Sequence, residues 1–120
     1  MTLSVIVADD STLGRKQVLR ALPADWDAEV RQAKNGEETL AALREGADLL
    51  FLDLTMPDHT GFDVLQMMGD EGIACPTFVV SADVQPRAME RAKELGAVSF
   101  IEKPVNVETL QARLAEHGFR

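Results

Sequence analysis

Tyrosine is absent from this chain of 120 residues, cysteine occurs once, and acidic residues outnumber basic ones by 20 to 12. A single cysteine, Cys75, excludes an intramolecular disulfide, and its place beside an apolar run marks a small core hydrophobe rather than a reactive thiol. His59 has no second histidine nearby and no cysteine in ligand spacing, which makes it a poor zinc ligand and an expected exposed loop residue. The net charge of −8 works against non-specific nucleic-acid binding. No apolar run approaches the ~20 residues needed to span a bilayer, and no charged-plus-apolar leader opens the chain. No membrane association and a cytoplasmic location are therefore expected. With no repeat, low-complexity tract or linker, the chain reads as one domain, residues 1–120, large enough for one hydrophobic core.

What the chain does have is polar residues at the ends of short apolar runs. The run from Leu3 to Ala8 ends in Asp9-Asp10, and the run from Leu49 to Leu52 ends in Asp53. Runs of this length, aliphatic and partly β-branched, are the mark of buried parallel strands. Each Asp then emerges at a strand's carboxyl end, the edge where open α/β sheets bind ligands. If the two strands are neighbours, three carboxylates converge, and such a set suits a hard divalent cation such as Mg²⁺ and metal-assisted phosphoryl chemistry.

Strand-like and helix-like patterns alternate five times. A helix from about Ser11 to Leu22 carries Val18, Leu19 and Leu22, contains Gly14, which close packing would explain, and is ended by Pro23. Residues 28–33 form a weak second strand, Asn35-Gly36 turns into a helix with Leu40 and Leu43, and Gly46 ends it. Pro57 and Gly61 make residues 55–61 a loop, with Thr60 a cap for a third helix carrying Phe62, Leu65 and Met68. Met56, Met67 and Met68 are expected to fill gaps in the core. Pro76 opens a fourth strand that ends at Ser81. Residues 85–95 follow as a helix with Ala88, Ala92 and Leu95, capped by Gly96. Val98 to Ile101 form a fifth strand that delivers Lys103, and a last helix from near Asn106 presents Val107, Leu110 and Leu114. Five β-α units with polar residues after strands one, three, four and five define an α/β fold with a doubly wound parallel sheet.

Asp9, Asp10, Asp53, Ser81 and Lys103 supply the parts of one reaction: a carboxylate nucleophile for phosphorus, cations to neutralise charge, and a hydroxyl to donate to a phosphate oxygen. A phosphatase of the haloacid dehalogenase class also uses an Asp nucleophile after a strand, but needs an acid two positions on, where this chain has Thr55. A flavodoxin needs a phosphate-cradling loop after the first strand, where Asp9-Asp10 would repel phosphate. An interaction module with a vestigial acid site is the third alternative.

The segments Val7-Ala8-Asp9-Asp10-Ser11, Asp53-Leu54-Thr55-Met56-Pro57 closing at Gly61, Ser81-Ala82, and Phe100-Ile101-Glu102-Lys103-Pro104 occur in one order along the whole chain. In these segments the chain closely resembles the receiver domain of two-component response regulators, the CheY-like family. The resemblance implies a flavodoxin-like (βα)5 fold with strand order 2-1-3-4-5 and a cis peptide before Pro104. It implies that Asp53 is the phosphoacceptor and that Mg²⁺ is bound by Asp10, by Asp9 largely through water, by Asp53 and by the Thr55 backbone carbonyl. Lys103 and Ser81 would contact phosphoryl oxygens, and Phe100 would be the aromatic switch, without the hydroxyl of the common Tyr variant.

The implied partners are a histidine kinase or phosphotransfer domain, and a target or output domain met through the fourth helix, fifth strand and fifth helix. The implied protein is no enzyme but a phosphoacceptor that assists its own phosphorylation and dephosphorylation. Thr55 and Asp83, two positions beyond Asp53 and Ser81, are the residues placed to tune hydrolysis. The wording from Ser81 to Pro86 and from Glu102 to Val105 resembles receivers of chemotaxis adaptation, some of them fused to a CheC-type phosphatase domain. A stand-alone chemotaxis-type protein and a receiver cut from a longer regulator both fit the sequence.

Overall fold

The computed structural model describes residues 2–120. Its five strands are β1 (Leu3–Ala8), β2 (Ala28–Ala33), β3 (Leu49–Leu52), β4 (Thr77–Ser81) and β5 (Ser99–Glu102). They alternate with α1 (Thr12–Ala21), α2 (Gly36–Glu45), α3 (Gly61–Glu71), α4 (Pro86–Glu94) and α5 (Val107–Glu116). All neighbouring strands are parallel, in the order β2-β1-β3-β4-β5. The expected flavodoxin-like sheet is therefore the observed one.

Strand side chains alternate between faces, and that alternation divides the core in two. Ile6, Ala8, Leu50, Leu52 and Val79 face α2, α3 and α4, where Leu40, Leu43, Val64, Leu65, Met68 and Ala92 meet them. Val5, Val7, Leu49, Phe51 and Phe78 face α1 and α5, packing on Val18, Leu110 and Leu114. Because β1 and β3 are sandwiched between both layers, nearly every residue in them is apolar, and the first residue past each strand can be polar.

Several local expectations shift. Ser11 is the N-cap of α1, its hydroxyl accepting from the Gly14 N–H, and Leu22 is the C-cap, so the helix is shorter than the apolar pattern at both ends. Asn35 caps α2 and Gly46, at φ 103°, follows its last turn; Thr60 and Asp63 form a reciprocal capping box on α3. Strand β5 begins one residue later than predicted, since Ser99 is the first residue in register with β4 and Val98 is 44% exposed. Val107 is not core: it is the first residue of α5 and is 50% exposed, while Leu110 and Leu114 are fully buried. Leu19, Leu22 and Phe62 are only half-buried, Phe62 lying beneath the Arg91 guanidinium at 4.3 Å. Met56 and Met68 are buried and Met67 packs against them, as gap-filling side chains. Cys75 is half-buried, and burial pushes its thiol up to about 11, which keeps it protonated and unreactive. The peptide between Lys103 and Pro104 is cis.

Candidate functional site

The register of β1 and β3 builds the site. Ala8 pairs with Leu52, and the Asp53 N–H donates to the Ala8 carbonyl at 3.0 Å, so the chain leaves both strands at the same level of the sheet. Asp9, Asp10 and Asp53 each offer a carboxylate oxygen within 4.8 Å of the others. On the far side of β3, the Lys103 N–H donates to the Ser81 carbonyl at 2.9 Å, which holds the end of β5 against the end of β4. Four strand ends thus deliver the five predicted residues to one crevice.

Within it Asp9 and Asp53 are buried, Asp10 is exposed, and Lys103 is the cation between the two buried acids. Its ammonium donates to Asp9 Oδ2 at 2.8 Å and lies 3.5 Å from Asp53 Oδ2. The other Asp9 oxygen accepts from the Ser11 N–H at 2.9 Å. Gly14 explains itself here: a Cβ on it would overlap the Asp9 carboxylate, so the first turn of α1 rests directly on the acid. Arg15, in the next position, donates to the Asp9 carbonyl at 2.7 Å and to Gln32 at 2.9 Å, bracing the ends of β1 and β2.

Burial pushes the Asp53 carboxyl up to about 6, and the charge of Asp9 adds to the effect; the Lys103 charge and the Thr55 N–H pull it back. At neutral pH it remains mostly the carboxylate. For Lys103, burial favours the neutral amine, but the Asp9 hydrogen bond and the charges of Asp53 and Asp9 outweigh it and raise the ammonium above its ordinary value. Two buried carboxylates and one exposed to solvent fit a small hard cation such as Mg²⁺, which takes oxygen ligands and keeps part of its hydration shell.

Ser81 is buried, and its hydroxyl accepts from the Asp83 N–H at 3.0 Å; the Asp83 carboxylate in turn accepts from the Gln85 N–H at 3.1 Å, at the entry to α4. Thr55 and Asp83 are both exposed, on the loops either side of Asp53. Phe100 is half-buried and lines a groove of about 460 Å³ between α4 and α5, with Ser81, Val84, Met89, Lys103 and Arg113 among its walls. His59, expected in the open, is half-buried: its Cβ lies where a side chain on Gly36 would go. Sequence alone did not single out Arg15 or Asp58. Asp58 accepts hydrogen bonds from Gly36 and Glu37, and nothing in the local pattern ties it to residues 22 and 21 positions away.

A family model for the response regulator receiver domain matches residues 5–115. A protein-glutamate methylesterase/protein-glutamine glutaminase of Syntrophomonas wolfei is 38% identical over 85% of this chain and 30% of its own length. Among solved structures, the chemotaxis protein CheY4 of Vibrio cholerae is 28% identical with a TM-score of 0.85, covering 97% of this chain and 98% of that one. The signal receiver domain of NarL from Mycobacterium tuberculosis is 27% identical with a TM-score of 0.86, over 99% and 98%. The chain belongs to the receiver domain family of two-component response regulators. Phosphorylation on aspartate is general to that family, whose receivers are phosphoacceptor signalling domains that exchange phosphoryl groups with kinase or phosphotransfer partners. The chain spans 16% to 49% of the length of the curated relatives it matches. Among the described residues no helix is long and apolar enough to cross a membrane.

Proposed function

We propose that Asp53 is the phosphoacceptor of this receiver and that residues 1–120 act as one cytoplasmic signalling domain, with no nucleic-acid contact of its own. The observation that carries the reading is the pairing of a buried, ionisable Asp53 with the Lys103 ammonium 3.5 Å away, inside a three-carboxylate cluster. A carboxylate oxygen of Asp53 attacks the phosphorus of a phosphohistidine on the kinase or phosphotransfer partner. The new O–P bond forms as the N–P bond breaks, and the departing imidazole takes the bonding pair. Mg²⁺, held by Asp9, Asp10, Asp53 and the Thr55 carbonyl, would supply charge neutralisation for the phosphoryl group. Lys103 turns from Asp9 toward a phosphoryl oxygen, and Ser81 donates its hydroxyl proton to another.

Hydrolysis reverses the gain: water adds to phosphorus, and Asp53 leaves as the carboxylate with inorganic phosphate as the product. Asp83 and Thr55 flank the approach of that water. In this way the domain assists its own phosphorylation and dephosphorylation.

The signal leaves through Ser81. Its hydroxyl now holds the Asp83 N–H, so a shift toward the phosphoryl group gives up that bond and loosens the loop from Ala82 to Gln85. The groove beside it then accepts the Phe100 ring, which alters the face formed by α4, β5 and α5, where the target or output domain docks. A chemotaxis-type docking partner and a covalently attached output domain are both served by this face. Beryllofluoride, which stands in for the phosphoryl group, tests the reading by NMR. With Mg²⁺ it should shift resonances at Asp53, across residues 82–95 and around Phe100; shifts confined to the loops next to Asp53 would contradict the switch.

A further inference from the structure

The loop that carries Thr55 is tied to a second helix by one carboxylate. Asp58 accepts from the N–H groups of Gly36 at 2.7 Å, Glu37 at 2.9 Å and its own neighbour His59 at 2.7 Å. The other donors of the first turn of α2 belong to Asn35, whose side chain accepts from Glu38 at 2.8 Å and whose carbonyl accepts from Thr39 at 3.1 Å. Two of the four donors at this helix end are therefore satisfied by a residue from the β3–α3 loop, where the helix dipole also favours its charge. Partial burial works against ionisation of Asp58, but the donors of Gly36, Glu37 and His59 outweigh it and hold the carboxyl down at about 2. A second contact reinforces the first, since a Cβ on Gly36 would lie 2.6 Å from the His59 Cβ.

The same loop is fixed at its start by the Gly61 N–H donating to the Leu54 carbonyl at 2.9 Å and by the buried side chains of Leu54 and Met56. Thr55 lies between the buried Leu54 and Met56, and the Asp58 clamp holds the chain two residues past Met56. We propose that Asp58 is a positioning residue for the metal site: by fastening the β3–α3 loop to the N-terminus of α2, it sets where the Thr55 carbonyl stands. This rests on the reading of the acidic crevice as a Mg²⁺-dependent phosphoacceptor site. Asp58 itself touches neither the metal nor the phosphoryl group. Its loss frees the loop end and leaves the three carboxylates intact, so it weakens Mg²⁺ without abolishing it.

The test is calorimetric titration with MgCl₂ of the wild type, Asp58→Ala, Asp58→Asn and Asn35→Ala. Asn35→Ala removes the other cap of α2 and leaves the loop tie in place, so it isolates mere helix destabilisation. Asp58→Ala should weaken Mg²⁺ by about tenfold, the low end for residues that support a metal ligand from outside. Asp58→Asn, which keeps one acceptor oxygen, should fall between it and the wild type, and Asn35→Ala should bind Mg²⁺ as the wild type does while melting lower. If Asp58→Ala does not fold, Asp58→Asn decides. Wild-type affinity in the folded Asp58 variants, or an equal loss in Asn35→Ala, overturns the proposal. A wild type that takes up no Mg²⁺ overturns the phosphoacceptor reading and the proposal with it, and shows separately in its own titration.

Discussion

The Lys103 ammonium is hydrogen-bonded to Asp9, at 2.8 Å, and stands off from the carboxylate beside it that it would serve in phosphoryl transfer, Asp53, at 3.5 Å. In the metal-free protein it therefore acts first as the counter-charge of a crowded acidic cluster. Two like charges 4.8 Å apart, the spread of these carboxylates, repel by on the order of 3 kcal/mol at an effective dielectric of ~20. Lys103 offsets part of that and is free to turn once another cation arrives.

Replacing it should therefore expose the repulsion. Lys103→Met is expected to lower the stability of the metal-free protein by about 1–2 kcal/mol, less than the loss of a fully buried partner because the ammonium is partly solvated. Millimolar Mg²⁺ should return most of the loss by binding only the folded state. Thermal denaturation with and without Mg²⁺ checks both halves, and wild-type stability without metal would contradict the role.

Asp53 imposes a pH dependence of defined sign. Its carboxyl lies at about 6 in the folded protein against an ordinary value of 3.8, so the folded state holds the proton more tightly. Stability is thus lost as pH rises through that window, and the loss is absent below it. Asp53→Asn, which does not ionise there, should melt close to the wild type near pH ~4 and above it near pH ~7, without metal. A gap that does not widen with pH would show that Asp53 is not the strained acid.

Gly61 is a packing requirement rather than a hinge. A Cβ on it would sit 2.6 Å from the Asp53 carbonyl oxygen and 2.8 Å from the Leu54 Cα, both backbone atoms that cannot step aside. Gly61→Ala should cost about 2 kcal/mol in spite of alanine's better helix propensity, and should slow phosphorylation by displacing Asp53. Unfolding curves and acetyl phosphate labelling rates measure the two effects; a variant that is stabilised would refute the contact.

The sheet was legible because its signals are local. Largely apolar runs at β1, β3 and β4 mark strands buried on both faces, and the polar residues that end them gather at one edge. Val107 misled because periodicity says which residues share a helix face, not whether the first turn still overlies the sheet. Asp58 was silent for a different reason. Its partners Gly36 and Glu37 come from another β-α unit, and a tertiary cap leaves no trace in spacing. Arg15 is similar, since its reach to the Asp9 carbonyl depends on how α1 lies over β1.

The most direct measurement is intact-mass analysis of the wild type and Asp53→Asn after incubation with Mg²⁺ and acetyl phosphate. The wild type should gain the mass of one phosphoryl group, removed by alkaline hydroxylamine as an acyl phosphate is, and Asp53→Asn should gain none. Equal incorporation in both proteins would place the phosphoryl group elsewhere and contradict the assignment of Asp53.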